Sequence, residues 1–148
     1  IPHFCISLAY ISGHEILSGV IFDPIKNEIF FAEKDSGAFF NSQRIRVSKK
    51  KNLDECLFAS NLSGVKNIDL NLRVSGSAAL DLAYVASGRL DGFYQKNLNI
   101  WDIAAGALIL KEAGGIISPF DVTKIKNHSI TASSEIISKD LTKLLKNF

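Results

Sequence analysis

Methionine is absent from all 148 residues. A translation product begins with methionine, and its removal needs a small second residue, which Ile1 is not. The chain is therefore expected to be a piece of a longer protein. Cysteine is almost as scarce: Cys5 and Cys56 stand alone, with no CxxC and no ligand-like spacing to a histidine. That argues against a disulfide framework and a zinc site and fits a reducing cytoplasm. No apolar run is long enough to span a bilayer, and nothing resembles a cleavable signal, so no membrane partner is expected. Seventeen Lys and Arg against fifteen Asp and Glu leave a net charge of +2. That excess is too slight to imply nucleic acid or an anionic surface. The longest basic run, Lys49-Lys50-Lys51, lies beside Asn52 and reads as a solvated loop.

What is present suits a folded chain. Hydrophobic residues make up 47% and charged residues 22%, as in soluble globular proteins, and the length allows a sizeable core. The first third reads as antiparallel sheet. Phe4 to Ile11 is apolar on both alternating faces, which predicts a strand buried on both sides. Gly13-His14 turns the chain into a strand from Ile16 to Phe22. Asp23 to Asn27 is a Pro- and Asx-containing turn, followed by strands at Glu28 to Ala32 and Ala38 to Asn41. The polar stretch Lys49 to Asp54 predicts a boundary. It divides a sheet portion (1–50) from an α/β portion (51–148).

Beyond it, Leu57 to Ser60 reads as a strand, Asn61 to Asp69 as a loop, and Ala78 to Ser87 as a helix ended by Gly88. Asp91 to Gln95 reads as a strand and Lys96 to Asn99 as a loop. Asp102 is expected to cap a helix from Ile103 to Ala113. Strands at Ile116 to Ser118 and Ser129 to Ala132 and a helix from Glu135 to Leu145 complete a mixed α/β pattern.

Two helix starts could carry chemistry. At Ser75-Gly76-Ser77-Ala78-Ala79 the unsatisfied N–H groups and the positive dipole end could receive a ligand, with glycine permitting close approach. A serine before a helix is also an ordinary cap. At Ile100-Trp101-Asp102-Ile103-Ala104-Ala105-Gly106, Asp102 is again a good cap. The small residues after it give a slim first turn that sheet or ligand can approach, and its carboxylate suits a hard cation such as Mg²⁺. His3, His14 and His128 lack catalytic spacing and read as structural or surface residues.

The second segment, running on through Leu108-Ile109-Leu110 to Glu112-Ala113-Gly114-Gly115, resembles the C-terminal signature of the inositol monophosphatase family. Arg73 to Ala86 resembles that family's substrate-side helix. Gly19-Val20-Ile21-Phe22-Asp23-Pro24 with Gly37-Ala38-Phe39-Phe40-Asn41 resembles its central hairpins. The resemblance covers the chain up to about Phe120. It implies the C-terminal part of a layered α-β-α-β-α sandwich of the inositol monophosphatase / fructose bisphosphatase type. It also implies a Mg²⁺-dependent phosphatase acting on a phosphate monoester, inositol 1-phosphate, and forming a homodimer. Asp102 matches the family's metal-binding aspartate, and Gly76, Ser77 and Ala78 match residues that contact the inositol ring. Seven residues before the aspartate the family commonly has a glutamate that holds a ring hydroxyl. Gln95 stands there, able to bond a hydroxyl but without the charge.

The family's Gly-Glu-Glu and Asp-Pro-x-Asp-Gly-Thr segments, which supply most metal ligands, are absent from this sequence. One carboxylate cannot assemble a two-metal centre, so this chain alone is expected to be inactive. The other reading is a non-catalytic remnant or split-gene product with at most a ligand- or protein-binding role.

Overall fold

The computed structural model describes residues 2–61 and 70–145. The first sheet is an antiparallel meander of β1 (Ile6–Ser12), β2 (Glu15–Asp23), β3 (Glu28–Glu33), β4 (Gly37–Phe40) and β5 (Gln43–Arg44), paired in chain order. The β2–β3 turn forms as the Asx chemistry predicts: Asp23 Oδ1 accepts the Ile25 and Lys26 N–H groups at 2.9 and 3.1 Å. The two-residue β5 was not foreseen, because Gln43-Arg44 has no strand pattern of its own and is drawn in by pairing with Phe39 and Phe40.

A short 3-10 turn at Leu53–Glu55 leads to the second sheet. Its strands are β6 (Leu57–Ser60), β7 (Asn71–Arg73), β8 (Gly92–Leu98), β9 (Gly115–Ile117) and β10 (His128–Ser134), in the order β7-β6-β8-β10-β9. β6 runs parallel to β7 and β8, and β10 runs antiparallel to β8 and β9. The expected loop at Asn61 to Asp69 lies, Asn61 apart, outside the described residues.

Helices α1 (Ala78–Ala86) and α2 (Ile100–Glu112) pack side by side between the two sheets. Helix α3 (Glu135–Leu144) covers the far face of the second sheet, where Ile137 and Leu141 bury Phe58 and Tyr94. The layers are thus sheet, helix pair, sheet and helix. The main core draws on all of the first three: Ile21 and Phe30, Leu80 and Leu82, Ile103 and Ile109, Phe93 and Ile130.

The slim first half of α2 is used by the sheet. A Cβ added at Gly19 would lie 2.8 Å from the Ala105 carbonyl oxygen, and one at Gly106 would lie 2.7 Å from the Leu82 Cβ. Glycine at these two positions, facing alanine and leucine, lets β2, α2 and α1 approach at backbone distance.

Several expectations need correction. Helix α2 begins at Ile100 with Asn99 as its N-cap, so Asp102 is the third helical residue and not the cap. Residues 96–98, expected in a loop, continue β8, since pairing with β10 carries the strand past Gln95 to Leu98. Lys50 does more than sit in water: its ammonium contacts the Asp91 carboxylate at 2.8 Å, and Asp91 in turn receives the Leu57 N–H.

The strand apolar on both faces is not buried on both. Cys5, Ser7 and Ile11 turn inward, while Phe4 and Ile6 are 53% exposed and Leu8 and Tyr10 63%. β1 is an edge strand, and among the described residues no element lies over its outer face. The register extends that face into a cross-strand row, Leu8–Val20–Phe31–Phe39, with the two phenylalanine rings stacked at 5.2 Å.

Such a face drives association. The 148-residue chain is expected to self-associate, and Ile6→Lys with Leu8→Lys to raise its monomer fraction in sedimentation velocity. A monomeric wild-type chain with a sharp unfolding transition would contradict this. Gly19→Ala should lower stability by about 1–3 kcal/mol through overpacking against backbone, read as a lower urea midpoint.

Candidate functional site

The two helix starts singled out by sequence are brought to one place because α1 and α2 lie side by side. At the first, Gly76 adopts φ +90, with nothing among the described residues within 4 Å of where a side chain would project. Only glycine holds that conformation without strain. Ser77 is the N-cap of α1, and its hydroxyl accepts the Leu80 N–H at 3.5 Å, a long bond. At the second, Asp102 Oδ2 accepts the Asn99 N–H at 2.8 Å. This orients the carboxylate at the mouth of α2, and no other bond to it is found among the described residues.

Gly76, Ser77, Ala78 and Asp102 line one cavity of about 370 Å³, together with Trp101. Its third wall is the chain entering β1, with His3, Phe4, Cys5 and Ser7. Two helix N-termini facing one hollow concentrate positive dipole ends and free N–H groups, an arrangement suited to an anion. Gln95 is not part of this lining; it lies half-buried on β8 opposite Ile130.

The β1 wall was missed by sequence reasoning. Alternation showed that Cys5 and Ser7 share a face, but nothing in the sequence says what that face meets. Cys5 Sγ lies 3.7 Å from Ser77 Oγ, and burial pushes its thiol pKa up. Burial, then Lys26, lowers the His3 imidazole, whose Nε2 is buried without a hydrogen-bond partner among the described residues.

Behind the cavity, Ser75 Oγ donates to Asp81 Oδ1 at 2.7 Å and accepts the Ser77 N–H at 3.2 Å. Asp81 is only 3% exposed, and burial pushes its carboxyl up to about 6, with the Ser75 bond opposing.

The other buried acids are structurally committed. Burial alone would raise Asp23, but the Lys26 ammonium at 2.6 Å and two backbone N–H groups outweigh it and hold its carboxyl low. Asp91 is held low in the same way, burial being outweighed by Lys50, Ser48 and the Leu57 N–H. A larger cavity of about 600 Å³ lies at the opposite end of α2. Its Glu112 is bound to the Asp35 and Gly37 N–H groups and its Lys34 to Glu15.

Among the described residues no three His, Cys, Asp or Glu side chains are grouped so as to hold a metal. A single carboxylate fits one corner of a Mg²⁺ site, which needs near-octahedral oxygen ligands. It does not make such a site by itself.

The profile described as the inositol monophosphatase family matches residues 1–147. The fructose-1,6-bisphosphatase/inositol-1-monophosphatase of Thermotoga maritima is 43% identical, over 81% of this chain and 50% of that protein. The Nus factor SuhB of Xylella fastidiosa is 40% identical, over 80% of this chain and 49% of its own. The crystal structure of the extragenic suppressor protein suhB from Bartonella henselae superposes with a TM-score of 0.88 at 40% identity. It covers 98% of this chain and 62% of that one. The chain thus spans about half the length of the curated relatives it matches.

Asp81 sets a pH dependence of stability. Its folded pKa lies above the unfolded value, so its carboxylate costs nothing well below the unfolded pKa, at about pH 3, where both states are protonated. The cost grows as pH rises from about 3 through 6 and is complete above that, up to about 3 kcal/mol. Asp81→Asn should therefore match wild type near pH 3 and exceed it in urea stability at pH 7. A constant difference between the two across that range would refute the assignment.

Proposed function

Because the chain belongs to the inositol monophosphatase family, we propose that it forms the substrate-side part of a phosphatase that hydrolyses a phosphate monoester of inositol. The observation that carries this reading is the convergence of Gly76, Ser77, Ala78 and Asp102 on one cavity between two helix N-termini. In it, Asp102 is a ligand to Mg²⁺, and the Gly76–Ala78 backbone and Ser77 hydroxyl receive ring hydroxyls. When bound, Mg²⁺ supplies an activated water and neutralises charge on the phosphate oxygens. The described residues provide one carboxylate of its ligand set. The remaining ligands are assigned to segments of the Gly-Glu-Glu and Asp-Pro-x-Asp-Gly-Thr kind.

The chain's own residues bind and orient. The N–H groups at the start of α1 present donors, Trp101 gives the cavity an apolar wall, and the Asn99 N–H fixes the angle of the Asp102 carboxylate. Gln95 enters the proposal as an amide partner for a ring hydroxyl, tested by whether Gln95→Ala raises KM. The family likeness also supports a cytoplasmic homodimer.

A second reading, a remnant without catalysis, is favoured by the lack of a three-ligand group among the described residues. Calorimetry separates the two: tight Mg²⁺ binding by this chain alone contradicts the remnant.

In the complete enzyme, Asp102→Asn is expected to cut Mg²⁺-dependent turnover of inositol 1-phosphate by at least about 100-fold. Thermal stability should hold, because the amide oxygen still accepts the Asn99 N–H. Near wild-type turnover in that variant would remove Asp102 from the site.

A further inference from the structure

A left-handed glycine with open space around it is a weak point in a binding wall. Gly76 has φ +90 and, among the described residues, no neighbour within 4 Å of a Cβ position, so no side chain at 76 anchors the path from Arg73 to the start of α1. What fixes it is polar. Ser75 Oγ sits between two partners, taking the Ser77 N–H at 3.2 Å and giving its proton to Asp81 Oδ1 at 2.7 Å. The relay spans Gly76 and ties the loop to the first turn of α1, where Asp81 also closes the helix by donating its N–H to the Ser77 carbonyl.

Asp81 is an expensive choice for this task. It is buried, and among the described residues no lysine, arginine or histidine pairs with it. A buried charge without a counter-charge destabilises the fold, and an asparagine would fill the same space without it. The carboxylate gives in return a charge-assisted bond to the Ser75 hydroxyl, about twice as strong as a neutral one. Stability given up for a stiffer loop beside a cavity is the usual mark of a functional constraint.

We propose that Ser75 and Asp81 are positioning residues: their hydrogen-bond relay holds the Gly76–Ser77 backbone in the shape that receives the hydroxyls of a polyol phosphate. The proposal rests on the reading of the cavity as an inositol phosphate site. It makes the relay a determinant of polyol affinity and not of phosphoester cleavage, because neither residue lines the cavity.

The test uses the complete enzyme with two substrates, inositol 1-phosphate and p-nitrophenyl phosphate, the second lacking ring hydroxyls. Ser75→Ala is expected to raise KM for inositol 1-phosphate about tenfold, the value of one charge-assisted bond, with kcat within about twofold. KM for p-nitrophenyl phosphate should stay unchanged. Ser75→Thr, which keeps the hydroxyl, should restore the wild-type KM, and Asp81→Asn, which keeps an acceptor, should lie between. Hydrogen–deuterium exchange gives a readout free of activity: the Ser77 amide should lose protection in Ser75→Ala and regain it in Ser75→Thr. Equal KM increases for both substrates, or unchanged Ser77 exchange, would overturn the proposal. A wild-type enzyme without Mg²⁺-dependent turnover of inositol 1-phosphate would instead sink the inositol reading, and the relay would then stand or fall on the exchange result.

Discussion

The backbone of β2 at Gly19 lies so close to α2 that a single added carbon would press on the Ala105 carbonyl oxygen. On its other side the same helix meets α1 through Gly106, against Leu82. Three elements are thereby stacked at backbone distance, and the run Ala104-Ala105-Gly106-Ala107 is what makes α2 thin enough to fit. Larger residues would push the first sheet and α1 away from α2, and the cavity, bounded by all three, would open. The site's shape therefore depends on a packing contact whose residues never face a ligand.

The polar groups around the site divide by what compensates them. Asp23 and Asp91 are buried with a lysine and with backbone N–H groups, and their charge stabilises turns and strand ends. Asp102 is half-open and has one oxygen committed to the helix start. Asp81 is buried with, among the described residues, only the Ser75 hydroxyl for company. Buried charge is tolerated where it is paired and is costly where it is not, so the uncompensated Asp81 is the one whose retention needs a reason beyond folding.

The outer face of the first sheet poses the opposite problem. Its row of Leu8, Val20, Phe31 and Phe39 is as apolar as a core, yet no described element covers it. The inner face of the same strands is packed against α2 and holds the cavity wall. One sheet thus joins a finished interface to an open one, and the relatives it matches are about twice as long as the matched part.

Local chemistry was legible in the sequence wherever a segment decides its own shape. The Asx turn at Asp23, the α1 stop at Gly88 and the bounds of β6 follow from residues within a few positions. Fifteen residues of spaced signature from Trp101 to Gly115 were enough to point to the start of α2, and Ser75-Gly76-Ser77 to the start of α1. Tertiary structure decided the rest. It extended β8 through Lys96 because a partner strand was available, moved the start of α2 back to Ile100 by capping from Asn99, and drew Lys50 out of its basic run to Asp91. It also placed Cys5 and His3 beside Ser77, and Ser75 beside Asp81, and left Gln95 on another strand. Those outcomes depend on contacts between residues far apart in the chain, and a pattern read along one segment carries no information about the segment it will meet.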